Sequence, residues 1–265
     1  MVAWEEFELD CTHYLNNRFG AYAQFIHQGG ADSTVPDILV ETKTGDSFYI
    51  DAKHSPAQCG QFVLLPNIET LTFEYSRQNA NRINDYAIMI MNHMNRSFDE
   101  YREAGTAGKE IDMPNGKKVF SEWVIDAYRS KGARYFITNN YTLFPLERFS
   151  KYFDITAKYR IKRSGSSSVG KSRIDLVKNY VVSHDYSING IRVEGDKLFV
   201  NSSRYLHNLR FVLRSYEYMF SIRDREYEIR KLSNTYNANV IFSIVQKEGE
   251  PGMSESEFIS DLKRP

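Results

Sequence analysis

Residues 36–53 read PDILVETKTGDSFYIDAK, and this stretch decides the expected fold. Its β-branched and apolar residues predict two short strands, at about 37–41 and 47–53. The polar residues 42–46 between them include Gly45 and predict a turn. The stretch as a whole therefore predicts a β-hairpin.

Three charged side chains of this hairpin are expected to converge. Asp37 lies near the start of the first strand, whereas Asp51 and Lys53 are two positions apart on the second and leave the same face. Ile50 and Ala52 point to the other face, into a core. Two carboxylates suit Mg²⁺, which keeps waters and phosphate oxygens as its other ligands, and a nearby ammonium group can orient an attacking hydroxide. The pattern predicts metal-dependent phosphodiester hydrolysis; an ordinary strand is the alternative, because Asp-x-Lys is common in strands.

A helix from about Val2 to Asn16 is expected before the hairpin. Its apolar residues recur at helical spacing: Trp4, Phe7, Cys11 and Leu15. Glu8 falls on the same stripe, where a carboxylate is costly unless it is paired or binds a metal ion. Glu8 is therefore predicted as a third carboxylate of the site.

The rest of the chain predicts mixed helix and strand, followed mainly by strand. Helices are expected at about 81–103 and 123–131, and a strand is expected at 134–138. Later strands are expected at 155–162, 216–222, 225–232 and 238–245, with a frayed tail after 249. The predicted class is α/β (α+β), with mixed sheet and flanking helices at 1–150 and a sheet-rich region at 151–265.

Composition narrows the class of protein. The 265 residues include 34 Lys and Arg and 34 Asp and Glu, so the net charge is zero. Residues 1–56 nevertheless hold nine acids against three bases, and residues 155–174 hold six bases and no acid. This asymmetry predicts a metal site in one part and a polyanion-binding surface in another. Two cysteines and no apolar run of membrane-spanning length favour a cytoplasmic protein.

Several polar residues outside the hairpin are candidates for DNA contact. Gln58 and Gln61 follow Lys53 and have amide groups that can bind a phosphate or a base edge; an ordinary polar turn is the equal alternative. The other candidates lie on the basic strand and in two polar loops: Lys158, Arg160, Lys162, Arg163, Ser164, Ser166, Asn234, Thr235 and Asn237. A solvated strand face and ordinary turn chemistry are the alternatives for these residues.

Residues 165–172 read GSSSVGKS and fit the P-loop pattern of nucleotide-binding proteins. A P-loop follows a buried apolar strand, but the preceding residues 159–163 are half basic. A loop whose backbone N–H groups bind DNA phosphates explains the same letters. A P-loop NTPase module is kept as the alternative function.

The motif residues resemble a known family. Pro36-Asp37 followed by Asp51-Ala52-Lys53 resembles the signature of the PD-(D/E)XK nucleases. Longer stretches resemble a type II restriction endonuclease of that family: WEEFELDCTHYL at 4–15, YIDAKHSPAQCGQFVLLPN at 49–67, SKGARYFITN at 130–139, YRIKRSG at 159–165 and LSNTYNANVIFSI at 232–244. The chain departs in having Asp51 where that relative has glutamate, and a longer hairpin turn.

The resemblance implies a fold, an activity and partners. It implies a restriction-endonuclease-like core, Mg²⁺ as cofactor, cleavage of double-stranded DNA at the symmetric site GCGC and a bacterial cytoplasmic setting. It assigns the active site to Asp37, Asp51 and Lys53, with Glu8 as the helix acid, and it implies a catalytic part at 1–150 followed by a part for DNA recognition and gripping at 151–265. The leading hypothesis adds the Ala52 carbonyl as a third metal ligand. A DNA methyltransferase is the implied system partner, and a monomer or a homodimer is equally compatible. A repair or junction nuclease, or a non-catalytic DNA-binding protein on the same scaffold, remains the alternative.

Overall fold

The computed structural model describes residues 3–28, 35–163, 165–232 and 236–264. Two compact units divide the chain: the first comprises 1–161 and 238–265, and the second comprises 162–237. Within the described residues, no helix has the length and apolar character that crossing a membrane requires.

The first part of the chain contains five helices and nine strands among its described residues. The helices are α1 (Ala3–Phe19), α2 (Asp85–Arg96), α3 (Phe98–Arg102), α4 (Gly116–Arg129) and α5 (Phe149–Tyr152). The strands are β1 (Ala23–His27), β2 (Ile38–Thr42), β3 (Ser47–Lys53), β4 (Ala57–Asn67), β5 (Thr72–Tyr75), β6 (Lys109–Glu110), β7 (Ala133–Thr138), β8 (Thr142–Pro145) and β9 (Phe153–Arg163).

The rest of the chain is richer in strand. Its helices are α6 (Ile174–Ser183) and α7 (Glu255–Leu262). Its strands are β10 (Ser166–Ser168), β11 (Ile188–Glu194), β12 (Lys197–Ser202), β13 (Arg210–Leu213), β14 (Tyr216–Arg223), β15 (Glu226–Leu232) and β16 (Tyr236–Gln246).

Two sheets build the first unit. One has the order β1-β2-β3-β7-β8, in which only the β3–β7 pair is parallel. The other has the order β5-β4-β16-β9-β6. A core of α1, α7 and the first sheet includes Cys11, Leu15 and Phe258, and a larger core around Trp123 joins α2 and α4 to the second sheet. The predicted mixed sheet flanked by helices is confirmed.

The described strands β10 to β15 of the second unit form one sheet, in the order β11-β12-β15-β14-β13, with β10 paired to β15. Its core includes Val177 and Val181 from α6, and Leu198, Tyr218 and Phe220 from the sheet. The adjacent strands β14 and β15 form a hairpin, as the sequence predicts. The third strand of the predicted meander, β16, instead joins the second sheet of the first unit beside β4.

The structure differs from the sequence prediction at several boundaries. The helix expected over 81–103 is divided at Ser97, whose backbone is not helical (φ −126°, ψ 43°), and its first part begins after Asn84. The tail expected to fray after 249 contains α7. Trp4, predicted on the inner stripe of the first helix, is half exposed. The two compact units divide after Ile161, not at 150.

Candidate active site

The β2–β3 hairpin brings Asp37 beside Ala52. Antiparallel pairing sets Ile38 opposite Ile50, so Asp37, the residue before β2, lies level with Asp51 in β3. The Asp37 carboxylate accepts a hydrogen bond from the backbone N–H of Ala52 at 2.8 Å. This bond fixes the first acidic side chain of the motif against the strand that carries the other two.

Alternation along β3 separates core side chains from charged ones. Ile50 and Ala52 are buried in the core formed with α1, as the sequence predicts. Asp51 and Lys53 leave the other face and form an ion pair, with side chains only 7% and 15% exposed. Burial alone lowers the pKa of the Lys53 ammonium group, but the negative charge of Asp51, together with smaller contributions from Tyr128 and Asp37, outweighs burial and holds that pKa well above its usual range. Lys53 therefore keeps its charge at neutral pH.

Crowding of carboxylates changes the acidity of Asp37. Burial and then the charge of Asp51 raise the pKa of Asp37 to about 7; Lys53 opposes this rise, and Glu8 adds to it. A carboxyl group in this state gains from a nearby cation, which would favour its charged form. Asp51 Oδ2 is also buried and, apart from its ion pair with Lys53, accepts no hydrogen bond from the described residues.

Glu8 lies on the buried face of α1 and points to the same region. Its Oε2 atom is 3.2 Å from Nε2 of His27, the last residue of β1. The predicted inward position of Glu8 is therefore found in the structure. Its partner His27 has no periodic signal in the sequence, so sequence reasoning missed it; pairing of β1 with β2, which sets His27 opposite Ile38, brings it near.

The donor set fits a divalent metal ion that is also held by water and substrate. Among the described residues, no three His, Cys, Asp or Glu side chains are arranged to hold a metal ion by themselves. Mg²⁺ ordinarily uses only one or two protein carboxylates together with waters and phosphate oxygens. Asp37 and Asp51 provide two such carboxylates, and Oδ2 of Asp51, which is paired only with Lys53 among the described residues, is a hard oxygen ligand of the type that Mg²⁺ prefers.

Tyr128 of α4 forms one wall of the site. The Lys53 Nζ lies 5.5 Å from the centre of its ring, and so does the Nζ of Lys131. Burial lowers the pKa of Lys131, while the charge of Asp51 opposes the shift. Two ammonium groups therefore lie beside the carboxylates. Neither Tyr128 nor Lys131 is predicted in the site from the sequence, because the spacing of Tyr128 is that of a core aromatic residue.

Gln58 and Gln61 come together through an irregularity in β4. Pairing with β16 shifts register between Ile241 and Ser243, so one residue of β16 lies opposite two of β4. This bulge allows the exposed Gln58 amide group to donate to Gln61 Oε1 at 3.3 Å. The amide of Asn239 donates to the same oxygen at 3.4 Å.

The basic strand is β9, as predicted. Ile155, Ala157 and Tyr159 are buried along one face. Lys158 and Lys162 are exposed on the other, and Arg160 is half-buried. Arg163 and Asn237 are described only by their backbones, and Ser164, Asn234 and Thr235 lie outside the described residues.

The P-loop pattern does not form a nucleotide-binding loop in its described residues. Ser166–Ser168 pair as strand β10 with β15. The Gly170 N–H donates to the backbone of Asp196, and the Ser166 hydroxyl accepts a hydrogen bond from Arg230 at 3.1 Å. These groups are used within the second unit, so the described residues of this pattern do not form a P-loop.

Comparison with known proteins supplies one match. A search of solved structures finds HhaI endonuclease in complex with DNA, with a TM-score of 0.69 and 36% sequence identity. The match covers 99% of this chain and 97% of that one. No protein-family model matches the chain, and a search of curated proteins finds no match.

Proposed function

Because this chain belongs to the family of HhaI-like restriction endonucleases, we propose that it hydrolyses phosphodiester bonds of double-stranded DNA at a short symmetric site, GCGC. The observation that carries the proposal is the meeting of Asp37, Asp51 and Lys53 at the end of one hairpin. Two carboxylates beside a charged ammonium group are the groups that metal-assisted hydrolysis of a phosphodiester needs.

Asp37, Asp51 and the carbonyl oxygen of Ala52 would hold Mg²⁺, and Glu8 would hold a second ion or an ordered water. The ion would lower the pKa of a water molecule and offset negative charge on the phosphoryl group. The backbone N–H of Ala52 keeps the Asp37 carboxylate oriented. His27 does the same for Glu8.

Lys53 would act on the attacking water and on the phosphate. Its ammonium group is charged because Asp51 and the other acidic groups around it together hold its pKa high against burial, so it donates hydrogen bonds and cannot act as a base at neutral pH. A fixed positive charge in a partly buried site stabilises the negative charge that develops on the phosphate oxygens. The reaction leaves a 5′-phosphate and a 3′-hydroxyl.

DNA would be held by residues of both units. We assign DNA contacts to Gln58 and Gln61 next to the motif. The other assigned contacts come from the basic strand, from strand β10 and from the polar residues of the C-terminal loop: Lys158, Arg160, Lys162, Arg163, Ser164, Ser166, Asn234, Thr235 and Asn237. A DNA methyltransferase would protect the same sequence in the host, and either one subunit or a homodimer would act on the two strands.

Digestion of a fully sequenced plasmid tests this proposal. With Mg²⁺ we expect a limit set of fragments whose ends, when sequenced, all fall within GCGC. Fragments that end at another fixed sequence would support the proposed nuclease activity but show that its recognition sequence is not GCGC. Cleavage at junctions or damaged positions without a common sequence would indicate a repair nuclease, and intact plasmid with both Mg²⁺ and Mn²⁺ would rule out the activity.

A further inference from the structure

The hairpin of β14 and β15 ends in exposed arginines. Its register runs from Tyr218 opposite Lys231 to Arg223 opposite Glu226, so Asp224 and Arg225 form the turn. Arg223 and Arg225 are both exposed. A two-stranded ribbon of this kind fits the major groove of B-form DNA.

A buried carboxylate lies behind Arg223. The Glu228 side chain is only 4% exposed. It faces the same side of the sheet as Arg223, because Ser221 is its direct partner across the hairpin. Arg223 Nε donates to Glu228 Oε2 at 3.1 Å, and Arg230 Nη1 pairs with the other carboxylate oxygen. Burial raises the pKa of Glu228, but the bonds from the two arginines outweigh burial and lower it, so the carboxylate stays charged.

The two arginines that bind Glu228 differ in how many of their guanidinium nitrogens have a partner. Arg230 also uses Nε and Nη2 on the hydroxyl and the carbonyl oxygen of Ser166. Arg223 uses only Nε among the described residues, and its side chain is 54% exposed. The terminal edge of its guanidinium group therefore faces outward, and its orientation is fixed from behind by the buried carboxylate.

We propose that Arg223, aimed by Glu228, binds DNA through a pair of adjacent acceptor atoms. A guanidinium edge with two parallel N–H donors matches either O6 and N7 of guanine or two oxygens of one phosphate. Glu228 is a positioning residue, since it acts only through Arg223. The inference rests on the proposed function. Arg223 is not among the DNA contacts assigned there.

Fixing an arginine before binding strengthens its contact with the ligand. A free arginine side chain loses rotamer freedom when it binds, and a side chain that is already held loses less. The local charge favours a polyanion as well, because residues 162–237 hold 14 Lys and Arg against 8 Asp and Glu.

Arg192 supplies a matched control on the same sheet face. Its Nε and Nη2 donate to Glu226 and its Nη1 donates to Glu194, so its guanidinium group is occupied by acids on both sides. It is about as exposed as Arg223. Arg192→Ala therefore removes the same charge from the same sheet without removing an outward-facing edge.

The test compares Arg223→Ala, Arg223→Lys, Glu228→Gln and Arg192→Ala by fluorescence anisotropy, using a GCGC duplex and a scrambled duplex in Mg²⁺-free buffer at two salt concentrations. Circular dichroism melting checks that each variant is folded. We expect Arg223→Ala to raise the Kd for the GCGC duplex by about tenfold or more, and Glu228→Gln to raise it less. We expect Arg192→Ala to bind like the wild type.

The two acceptor sources give different results, and both support the proposal. If Arg223 binds guanine, Arg223→Ala and Arg223→Lys both lose discrimination between the duplexes. If it binds a phosphate, both duplexes weaken together in Arg223→Ala, the salt slope falls by about one, and lysine restores most of the affinity. Equal binding by Arg223→Ala and Arg192→Ala overturns the inference. If the wild-type protein also cuts plasmid DNA, the proposed function survives that result.

Discussion

Lys53 is the residue on which the proposed chemistry depends most. Its ammonium group is paired with Asp51 and lies over the ring of Tyr128, so its position is fixed. We expect Lys53→Ala to reduce the cleavage rate by at least about 100-fold, the cost of removing one fixed stabilising group, while binding to a GCGC duplex is kept. Single-turnover cleavage and anisotropy measure the two effects. Lys43→Ala, an exposed lysine in the turn of the same hairpin, should cut at the wild-type rate.

The acidity of Asp37 predicts how metal binding depends on pH. With its pKa raised to about 7, this carboxyl group is largely protonated below pH 7, and a metal ligand must lose its proton. The Mg²⁺ concentration that gives half-maximal cleavage should therefore rise by up to about tenfold for each pH unit below 7 and level off above it. Titrations with Mg²⁺ from pH 5.5 to 8.5 measure this.

His27→Gln is the control for this prediction. The substitution removes the imidazole that contacts Glu8 at 3.2 Å and leaves Asp37 in place. If His27→Gln abolishes the dependence, Asp37 is not its origin. If the pH dependence of the half-maximal Mg²⁺ concentration keeps its midpoint near pH 7 in this variant, the dependence is assigned to Asp37.

Spacing along the sequence predicts some site residues and not others. Asp51 and Lys53 are two apart in one strand, so strand geometry alone places them on one face. His27 and Tyr128 come from elements whose position relative to the hairpin depends on which strands pair. No local pattern encodes that pairing, so their proximity emerges only from the folded sheet.

Gly60 lies in β4 at the bulge between Gln58 and Gln61. Its φ is +92°, and a Cβ atom at this position would lie 2.9 Å from the ring of the buried Trp123. Gly60→Ala should lower the free energy of unfolding by about 2–4 kcal/mol, from backbone strain and overpacking together. Urea unfolding measures it. Gly45 has the same φ but open space around it, so Gly45→Ala should cost only the strain, about 1–2 kcal/mol; equal losses would mean that the contact with Trp123 is unimportant.

Helix α7 shows how a polar tail becomes a structural element. Ser254 and Glu257 form a capping box at its start, and Phe258 packs 5.0 Å from the ring of Phe19. Ser254→Ala should lower the free energy of unfolding by about 1 kcal/mol, as measured by urea unfolding. Ser260→Ala, at an exposed position inside the helix, should be neutral; an equal loss there would contradict the capping role.

The errors of sequence prediction at the element scale have physical causes. Ile90, Met94, Phe98 and Tyr101 are all buried as their spacing predicts, yet the chain leaves the helix at Ser97 between them. Periodicity reports which side chains meet a core and is insensitive to a single residue that leaves the helix. The sequence carries an S-x-x-E signature of a helix start at residues 254–257, which the prediction of a frayed tail does not use.

After the second unit, residues 238–265 return to the first unit. Alternation predicted β16 as a strand, but period-two patterns do not specify a partner. The strand pairs with β4, whose residues lie about 180 positions earlier in the chain, and α7 then packs beside α1. A division at residue 150 could not anticipate this, because it assumed that each unit is one continuous segment.

The zero net charge of the molecule conceals two opposite charges. Residues 162–237 carry a net charge of +6, and the other residues, with 20 bases and 26 acids, carry −6. Binding of DNA by the positive unit releases counterions from the phosphates, so affinity should depend strongly on salt despite an isoelectric point near 7.

We expect the Kd for a GCGC duplex to rise by about tenfold or more between 50 and 200 mM NaCl. Anisotropy titrations in Mg²⁺-free buffer measure this, with circular dichroism over the same range to show that the protein stays folded. A Kd that does not change with salt would mean that the positive unit does not contact the DNA backbone.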